Sequence, residues 1–553
     1  MIEWWKKSVV YQIYPKSFCD TTGNGQGDLP GITTKLDYIK LLGVEIVWLT
    51  PVYHSPMRDN GYDISDYYSV NPDFGTMEDL EILLNEAHRR GLKIIMDIVV
   101  NHTSTEHKWF QEAKKSHNNK FRDYYIWRDQ PNNWQSKFGG NAWEYNPATD
   151  DYYLHLFDVT QADLNWENPE LRREIYAMMN FWAQKGIDGF RLDVINLISK
   201  QQDFLNDTLE NAMADGRKYY TDGPRVHEFL QEMNAAVFSP YNMVTVGEMS
   251  STSIENCVRY TNPNNHELSM TFSFHHLKVD YKDGDKWTKM PFDFLRLKKI
   301  ISEWQLGMQQ GDGWNALFWC NHDQPRVVSR FGDDGKYRVR SAKMLATVLH
   351  CLQGTPYIYQ GEEIGMTNAH YDKIEQYRDV ESTNNFRLKT ETGMSAEEML
   401  AILRDKSRDN SRTPMQWNAS ANAGFTTGIP WLGIPQNYNE INAELAVADN
   451  ESVFHYYRML CELRRNSETI CSGEYQDIAL DSPQVFAYLR VAERETLLVV
   501  ANFYEQAILF EPKLNKNYYG AEILLANYHD CVITDLDKIE LRPYEAMVLK
   551  LLG

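Results

Sequence analysis

Short apolar runs alternating with longer stretches of helical periodicity mark most of this chain. Eight β-like runs fall at 9–18, 44–51, 92–101, 187–193, 244–248, 268–274, 315–321 and 355–360. Helix signals lie between them. Thr76-Met-Glu-Asp79 has the form of a capping box with Gly91 as its stop, and Pro169 follows Asn168 at a first helical position. Strand–helix alternation implies parallel strands, and eight such units predict an α/β fold closed as a (β/α)8 TIM barrel.

Two segments depart from that rhythm. Residues 102–166, between the third and fourth strands, are rich in aromatics, Asn and Gly and too long for an ordinary loop. They predict an inserted subdomain that roofs the strand ends. After about residue 475 the texture changes to short alternating runs. Val485-Phe-Ala-Tyr-Leu-Arg490, Leu497-Leu-Val-Val-Ala501 and Ala546-Met-Val-Leu-Lys-Leu551 predict a C-terminal antiparallel β-sandwich. The expected organisation is a barrel over 1–101 and 167–474, an insert over 102–166 and a sandwich over 475–553. Residues 364–440 read as loop-rich and helical without a clear subdivision.

Three of the apolar runs lead into carboxylates: Gly186 to Asp193, Val244 to Glu248 and Ala316 to Asp323. One Asp after a strand is ordinarily a cap or a turn residue. Three together, with Arg191 before the first and His322 beside the last, match the way such barrels build active sites at their C-terminal strand tips. Two carboxyls flanking an acetal oxygen are the minimum equipment for glycoside hydrolysis. Asp193 is the expected nucleophile, with Arg191 one strand period away on the same side to hold it ionised. Glu248 follows Val246-Gly247, where a desolvated carboxyl with a raised pKa suits an acid/base. Asp323 is expected to grip sugar hydroxyls and steady the cationic transition state, with His102 and His322 donating to the same ring.

Composition narrows the setting. The 553 residues are 43% hydrophobic and 24% charged, enough for a large core and unlike a disordered chain. A formal charge of −21 disfavours nucleic-acid and anionic-membrane partners, and no obligate protein partner is evident. Any phosphorylated substrate would need a local cationic pocket to overcome that field. The start of the chain carries no apolar signal, no run approaches a spanning helix, and seven cysteines show no CxxC spacing. Cys19, Cys320 and Cys351 lie in apolar runs as small buried hydrophobes. The expected location is the cytoplasm, where the Asn-x-Ser/Thr sequons at Asn101, Asn206 and Asn418 mean little.

Asp97-Ile-Val-Val-Asn-His102, Gly189-Phe-Arg-Leu-Asp193, Gly247-Glu248 and Asn321-His-Asp323 resemble the four signature regions of the α-amylase family of glycoside hydrolases, in order and spacing. Asp59-Asn-Gly-Tyr-Asp63 and Arg408-Asp-Asn-Ser-Arg-Thr-Pro-Met-Gln-Trp417 are similar to the branch that holds oligo-1,6-glucosidases and trehalose-6-phosphate hydrolases. The resemblance runs end to end. It implies a glucose subsite built with Asp59, Tyr62 and Arg412, with Tyr62 stacked on the sugar and Asp59 and Arg412 clamping hydroxyls in an exo-acting enzyme. For Arg412, a surface salt bridge in a charged segment is the plainer alternative. In the family, Val194 directly after the nucleophile tends to mark α-1,6 or trehalose-type substrates.

Two further stretches leave alternatives open. Asp20-Thr-Thr-Gly-Asn-Gly-Gln-Gly-Asp28 resembles a calcium loop with Asp20, Asn24 and Asp28 as ligands, or is a plain Gly-rich turn. Any such metal is structural, and no cofactor is required. Phe272-Ser-Phe-His275-His276-Leu-Lys278, beyond the sixth strand, offers two His and a Lys where neutral-sugar relatives typically carry acids. His275, His276 and Lys278, helped by Lys137, are the expected phosphate ligands; the alternative is ordinary loop residues meeting acids such as Asp280 and Asp283. The resulting expectation is retaining hydrolysis of trehalose 6-phosphate, a small phosphorylated disaccharide, to glucose and glucose 6-phosphate. The alternative is an oligo-1,6-glucosidase on isomaltose-like sugars. An isomerase would share the nucleophile and differ in excluding water. A transporter heavy chain would lack the acids that are present here.

Overall fold

The computed structural model describes residues 3–208, 215–514, 516 and 518–553. Eight strands form its centre: β1 (Val10–Ile13), β2 (Ile46–Leu49), β3 (Lys93–Val99), β4 (Gly189–Asp193), β5 (Val244–Glu248), β6 (Met270–Phe272), β7 (Ala316–Leu317) and β8 (Thr355–Tyr359). Their order is β6-β5-β4-β3-β2-β1-β8-β7, and every neighbouring pair is parallel. A parallel bridge between Thr271 and Asn315 joins β6 to the start of β7 and closes the ring. The strands are buried on both faces, which is why they read as continuous apolar runs without alternation.

All eight strands fall where the apolar runs lie, but β7 is much shorter than 315–321. Its continuation leaves the ladder because side chains take over the backbone groups. His276 Nε2 donates to the Phe318 carbonyl at 2.9 Å, and Asn321 Oδ1 accepts from the Asp323 amide at 2.8 Å. Asp323 therefore stands on a loop beyond the strand rather than at its tip.

The helix stop and start signals operate as local chemistry requires. Thr76 Oγ1 accepts from the Asp79 amide at 3.1 Å while Asp79 Oδ2 accepts from the Thr76 amide at 2.8 Å, opening helix Met77–Arg89. Asn168 Oδ1 accepts from the Glu170 amide at 2.8 Å ahead of Pro169–Gln184.

Between β3 and β4, His102–Ser104 pairs antiparallel with Gln161–Asp163, and a three-stranded sheet unites Trp127–Arg128, Asp151–Leu154 and Trp143–Asn146. Trp134, Trp143 and Leu156 from this segment share a core with Val194, Leu197 and Tyr220 from the loop after β4. The insert is thus packed directly over the end of the strand that carries Asp193.

The last region is a five-stranded antiparallel sheet of β9 (Glu474–Asp477), β10 (Val485–Val491), β11 (Thr496–Asn502), β12 (Gly520–Ala526) and β13 (Ala546–Leu552), ordered β9-β10-β11-β13-β12. Strand alternation sorts its two faces. Phe486, Tyr488, Leu497 and Val499 join the barrel's core. Val485, Ala487, Leu498 and Val500 pack instead with Phe510, Ile539 and Leu541 of a two-stranded ribbon. All seven cysteines are free, six of them buried. Among the described residues no helix is long and apolar enough to cross a membrane.

Candidate active site

At the C-terminal end of the barrel, Arg191 is the hub. It is 1% exposed and sits on β4 facing the barrel axis. Its Nη1 donates to Asp97 Oδ1 at 2.8 Å and to Asp193 Oδ1 at 2.7 Å, and its Nη2 lies 2.5 Å from Glu248 Oε2. One guanidinium thus fixes three carboxyls from β3, β4 and β5. Parallel register places them level, since Asp97 pairs with Arg191 and Arg191 pairs with Val246. Gly247 is required here: a Cβ on it would come within 2.6 Å of Leu268 and Met249 side-chain carbons.

Val194, directly after Asp193, has φ +37°, a left-handed conformation rare for a β-branched residue. Its amide donates to Glu248 Oε2 at 3.2 Å. Such strain persists only where the surroundings fix it, and here it turns the chain sharply away behind the nucleophile.

Protonation follows from burial. Desolvation pushes Glu248 up to about 8, with Arg191 opposing and the charges of Asp193 and Asp323 adding. Burial also raises Asp193, to about 6, against the pull of Arg191. At neutral pH the proton therefore rests on Glu248 and the charge on Asp193, the assignment a general acid and a nucleophile need. A definite pH profile is expected. kcat/KM should fall below about 6, where the Arg191-bound carboxyls gain a proton, and above about 8, where Glu248 loses its own. The measurement is kcat/KM from pH 4 to 10, and a plateau unbroken up to pH 10 would contradict the role given to Glu248.

Asp323 is held from the opposite side. Arg412 Nη2 lies 2.6 Å and Arg408 Nη1 3.2 Å from its Oδ1. Burial works against its charge, yet it stays well below the usual carboxylate range. Burial leaves His322 neutral, pushed down to about 3, so the two arginines supply the holding charge. Both arginines also contact Asp379, at 2.5 Å for Arg408 and 3.5 Å for Arg412.

Asp59, Tyr62, His102, Asp193, Glu248 and Asp323 line one cavity of about 100 Å³, together with Gln161, Arg408, Phe138 and Phe157. Several expected contacts are rearranged. Tyr62 stacks on His322 at 5.3 Å with rings 3° apart, and its hydroxyl donates to Asp97 Oδ2 at 2.9 Å. Tyr62 still lines the cavity while its hydroxyl end meets His322 Nε2 at 2.8 Å. His102 Nε2 donates to the Tyr62 carbonyl at 3.1 Å. His322 and Arg412, each 1% exposed, stand behind the wall, and Arg412 Nε bonds the His322 carbonyl at 2.8 Å. Arg408 takes the lining position expected of Arg412. The two are four residues apart across a short helix and share a face, a spacing visible in the sequence. Gln161, which donates to Asp59 Oδ2 at 3.0 Å, had no such signal. Asp59 is raised to about 7 by burial despite Arg408 and Arg412 nearby.

The expected phosphate ligands divide. His276 is turned inward, donating to the Phe318 carbonyl, and burial pushes it down to about 4. His275 bonds Ser273 Oγ at 3.1 Å, lies against Trp304 and is likewise lowered to about 4, by burial and by Lys278. Both rings are thus held neutral in the absence of an anion, and the His276 Nε2–H is already spent on the Phe318 carbonyl. Lys278 keeps different company. It lies in the fields of Lys137, from the insert, and of Arg217, from the loop after β4. Lys137 Nζ donates to Ser250 Oγ at 3.2 Å, two residues past Glu248, and is lowered to about 8 by burial and by Arg217. Arg217 pairs with Asp215 at 2.6 Å.

In the loop at Asp20–Asp28 the side-chain oxygens are already engaged. Asp20 accepts from the amides of Thr22, Gly23 and Gly25 and from the Thr426 hydroxyl. Asp28 accepts from the Thr21 and Gly31 amides, capping helix Leu29–Thr34, and Asn24 accepts from Gln26. Among the described residues no group of three or more His, Cys, Asp or Glu could hold a metal ion. The loop thus has the bonding of a self-closed turn.

Residues 12–473 match the α-amylase catalytic domain, and residues 485–548 match the C-terminal domain of the α-amylase SusG. The chain is 61% identical to the trehalose-6-phosphate hydrolase of Bacillus subtilis (strain 168), over 99% of this chain and 98% of that protein. It is 51% identical to the oligo-1,6-glucosidase of Bacillus cereus, over 99% of each. The crystal structure of Bacillus licheniformis trehalose-6-phosphate hydrolase superimposes with a TM-score of 0.96 at 58% identity, each chain fully covered. With an eight-stranded barrel, three carboxyls at its C-terminal end and a catalytic-domain match across most of its length, the chain belongs to the α-amylase family of glycoside hydrolases.

Proposed function

We propose that the protein hydrolyses trehalose 6-phosphate to glucose and glucose 6-phosphate with retention of configuration. Asp193 attacks the anomeric carbon while Glu248 protonates the departing oxygen. Glu248 then takes a proton from the water that releases the glycosyl-enzyme. Asp323, kept ionised by Arg408 and Arg412, faces the positive charge that develops on the ring. Phe138 and Phe157 narrow the cavity over a single sugar. The observation that carries the choice of substrate is that Lys137, which bonds Ser250, lies within the electrostatic reach of Lys278 and of Arg217, itself paired with Asp215, in a chain of net charge −21. Three cations from separate segments suit a phosphate on the leaving sugar.

The test is selectivity. Lys278→Ala and Lys137→Ala should each lower kcat/KM for trehalose 6-phosphate by roughly 10- to 150-fold, the loss of one charge-assisted contact. Turnover of a neutral aryl α-glucoside should be unchanged. Equal losses on both substrates would mean a structural role for the lysines. No loss on either would move the phosphate elsewhere and favour the oligo-1,6-glucosidase reading. His276→Ala should lower thermal stability through its lost carbonyl bond and leave selectivity as it was.

The chemistry proposed uses carboxyls for every proton and bond, so a chelator should leave kcat/KM unchanged. A fall in melting temperature on chelation would show that the loop at Asp20–Asp28 takes a structural cation. A phosphorylated substrate and seven free cysteines both suit the reducing cytoplasm.

A further inference from the structure

A second concentration of positive charge lies away from the catalytic cavity, in a cleft of about 470 Å³ lined by Lys336, Arg338, Arg340, Lys343, Glu451 and His529. The cleft lies between helix Arg338–His350 of the barrel and the loop after β12. Among the described residues none of its four Lys and Arg side chains has a carboxylate within ion-pair distance. That is unusual where 77 acids outnumber 56 bases.

These side chains are held by neutral partners. Arg338 Nη1 donates to the carbonyls of Ile364 and Gly365 at 3.0 Å each. Arg340 donates to the Asn527 carbonyl, and its guanidinium lies 3.9 Å from the Tyr528 ring centre. Lys343 is 4% exposed; its ammonium donates to the Glu451 carbonyl at 2.6 Å and lies 5.4 Å from the Tyr456 ring centre. Carbonyls and rings fix the cations in place without neutralising them. The cleft therefore sets four cations against the single carboxylate of Glu451 in its lining. Burial and the nearby Arg340 push Lys343 down to about 8, against the opposing charges of Glu451 and Asp449.

We propose that this cleft binds a small phosphate-bearing anion at a site separate from the catalytic cavity. Phosphate supplies what these donors lack: two negative charges and acceptor oxygens for a guanidinium fork and an ammonium together. Orthophosphate and a sugar phosphate share that chemistry, and the cleft has room for either.

Calorimetric titration of the full chain carrying Lys137→Ala and Lys278→Ala, which removes two of the three cations grouped near Ser250, lowers competition from that site. Orthophosphate and glucose 6-phosphate are titrated separately. Saturable binding of one equivalent is expected for at least one of them, and the tighter of the two names the source. Adding Lys336→Glu, an exposed position whose ammonium lies over the neighbouring Tyr337 ring at 4.7 Å, should weaken that binding by about 10-fold or more. Turnover of a neutral aryl α-glucoside by Lys336→Glu in the otherwise unaltered chain should stay as it was. No saturable binding of either anion, or binding indifferent to both Lys336→Glu and Lys343→Gln, overturns the proposal. Neither result bears on the substrate reading, which rests on different residues.

Discussion

Replacing Asp193 with Asn is expected to lower kcat by a factor on the order of 10⁴–10⁶, on phosphorylated and neutral substrates alike. The nucleophile's charge cannot be supplied by a neighbour. Asp97 is fully buried on the far side of Arg191, and Glu248 carries the proton. The fold should survive, because Arg191 keeps Asp97 and Glu248 as partners and the amide oxygen of Asn can still accept from its Nη1. A better leaving group should rescue nothing, since the missing step is bond formation at the anomeric carbon. Single-turnover kinetics with an aryl α-glucoside measure this directly. A burst of aryl alcohol from the Asn variant would overturn the assignment.

Glu248→Gln should behave differently. General acid assistance is worth roughly 10²–10⁴-fold, and the full loss falls on substrates with a sugar as leaving group. An aryl glucoside with an acidic phenol needs little protonation to depart, so its release should be partly restored. Glycosyl-enzyme should then accumulate, because the base that activates water is also gone. The alkaline limb near pH 8 should disappear with the variant, as its cause is the Glu248 carboxyl that burial raises. The amide oxygen can still accept from Arg191 and from the Val194 amide, so packing around the nucleophile should hold. Equal losses on good and poor leaving groups, or an alkaline limb that remains, would assign the acid to another residue.

The site's arginines divide the carboxyls between two jobs. Arg191 collects Asp97, Asp193 and Glu248, and burial there wins over its single charge, so protons stay at hand. Arg408 and Arg412 face Asp323 and Asp379 with two charges, and there the arginines win over burial. Asp59, near the same two arginines but without their direct hydrogen bonds, is raised by burial, so direct contact with a guanidinium separates the acids that stay anionic there.

The order of strands and helices and the closed barrel were legible in the chain, as were the carboxyls that the cavity brings together, because each is written locally. A strand buried on both faces must be apolar throughout, and a helix start needs a side chain to satisfy its free amides. What the sequence left undecided is which distant segments meet. Lys278 reads much the same as His275 and His276 along the chain. Only packing turns the two histidines into the protein and sets Lys278 near Lys137 and Arg217, residues 137, 217 and 278 being brought together by the insert folding over β4. The protonation of Glu248 and Asp193 is likewise a tertiary property, because desolvation and the direction of a guanidinium depend on neighbours far away in sequence. Residue types thus determined what chemistry was available, and the tertiary structure alone decided which groups share one low-dielectric cavity, where charges act at close range.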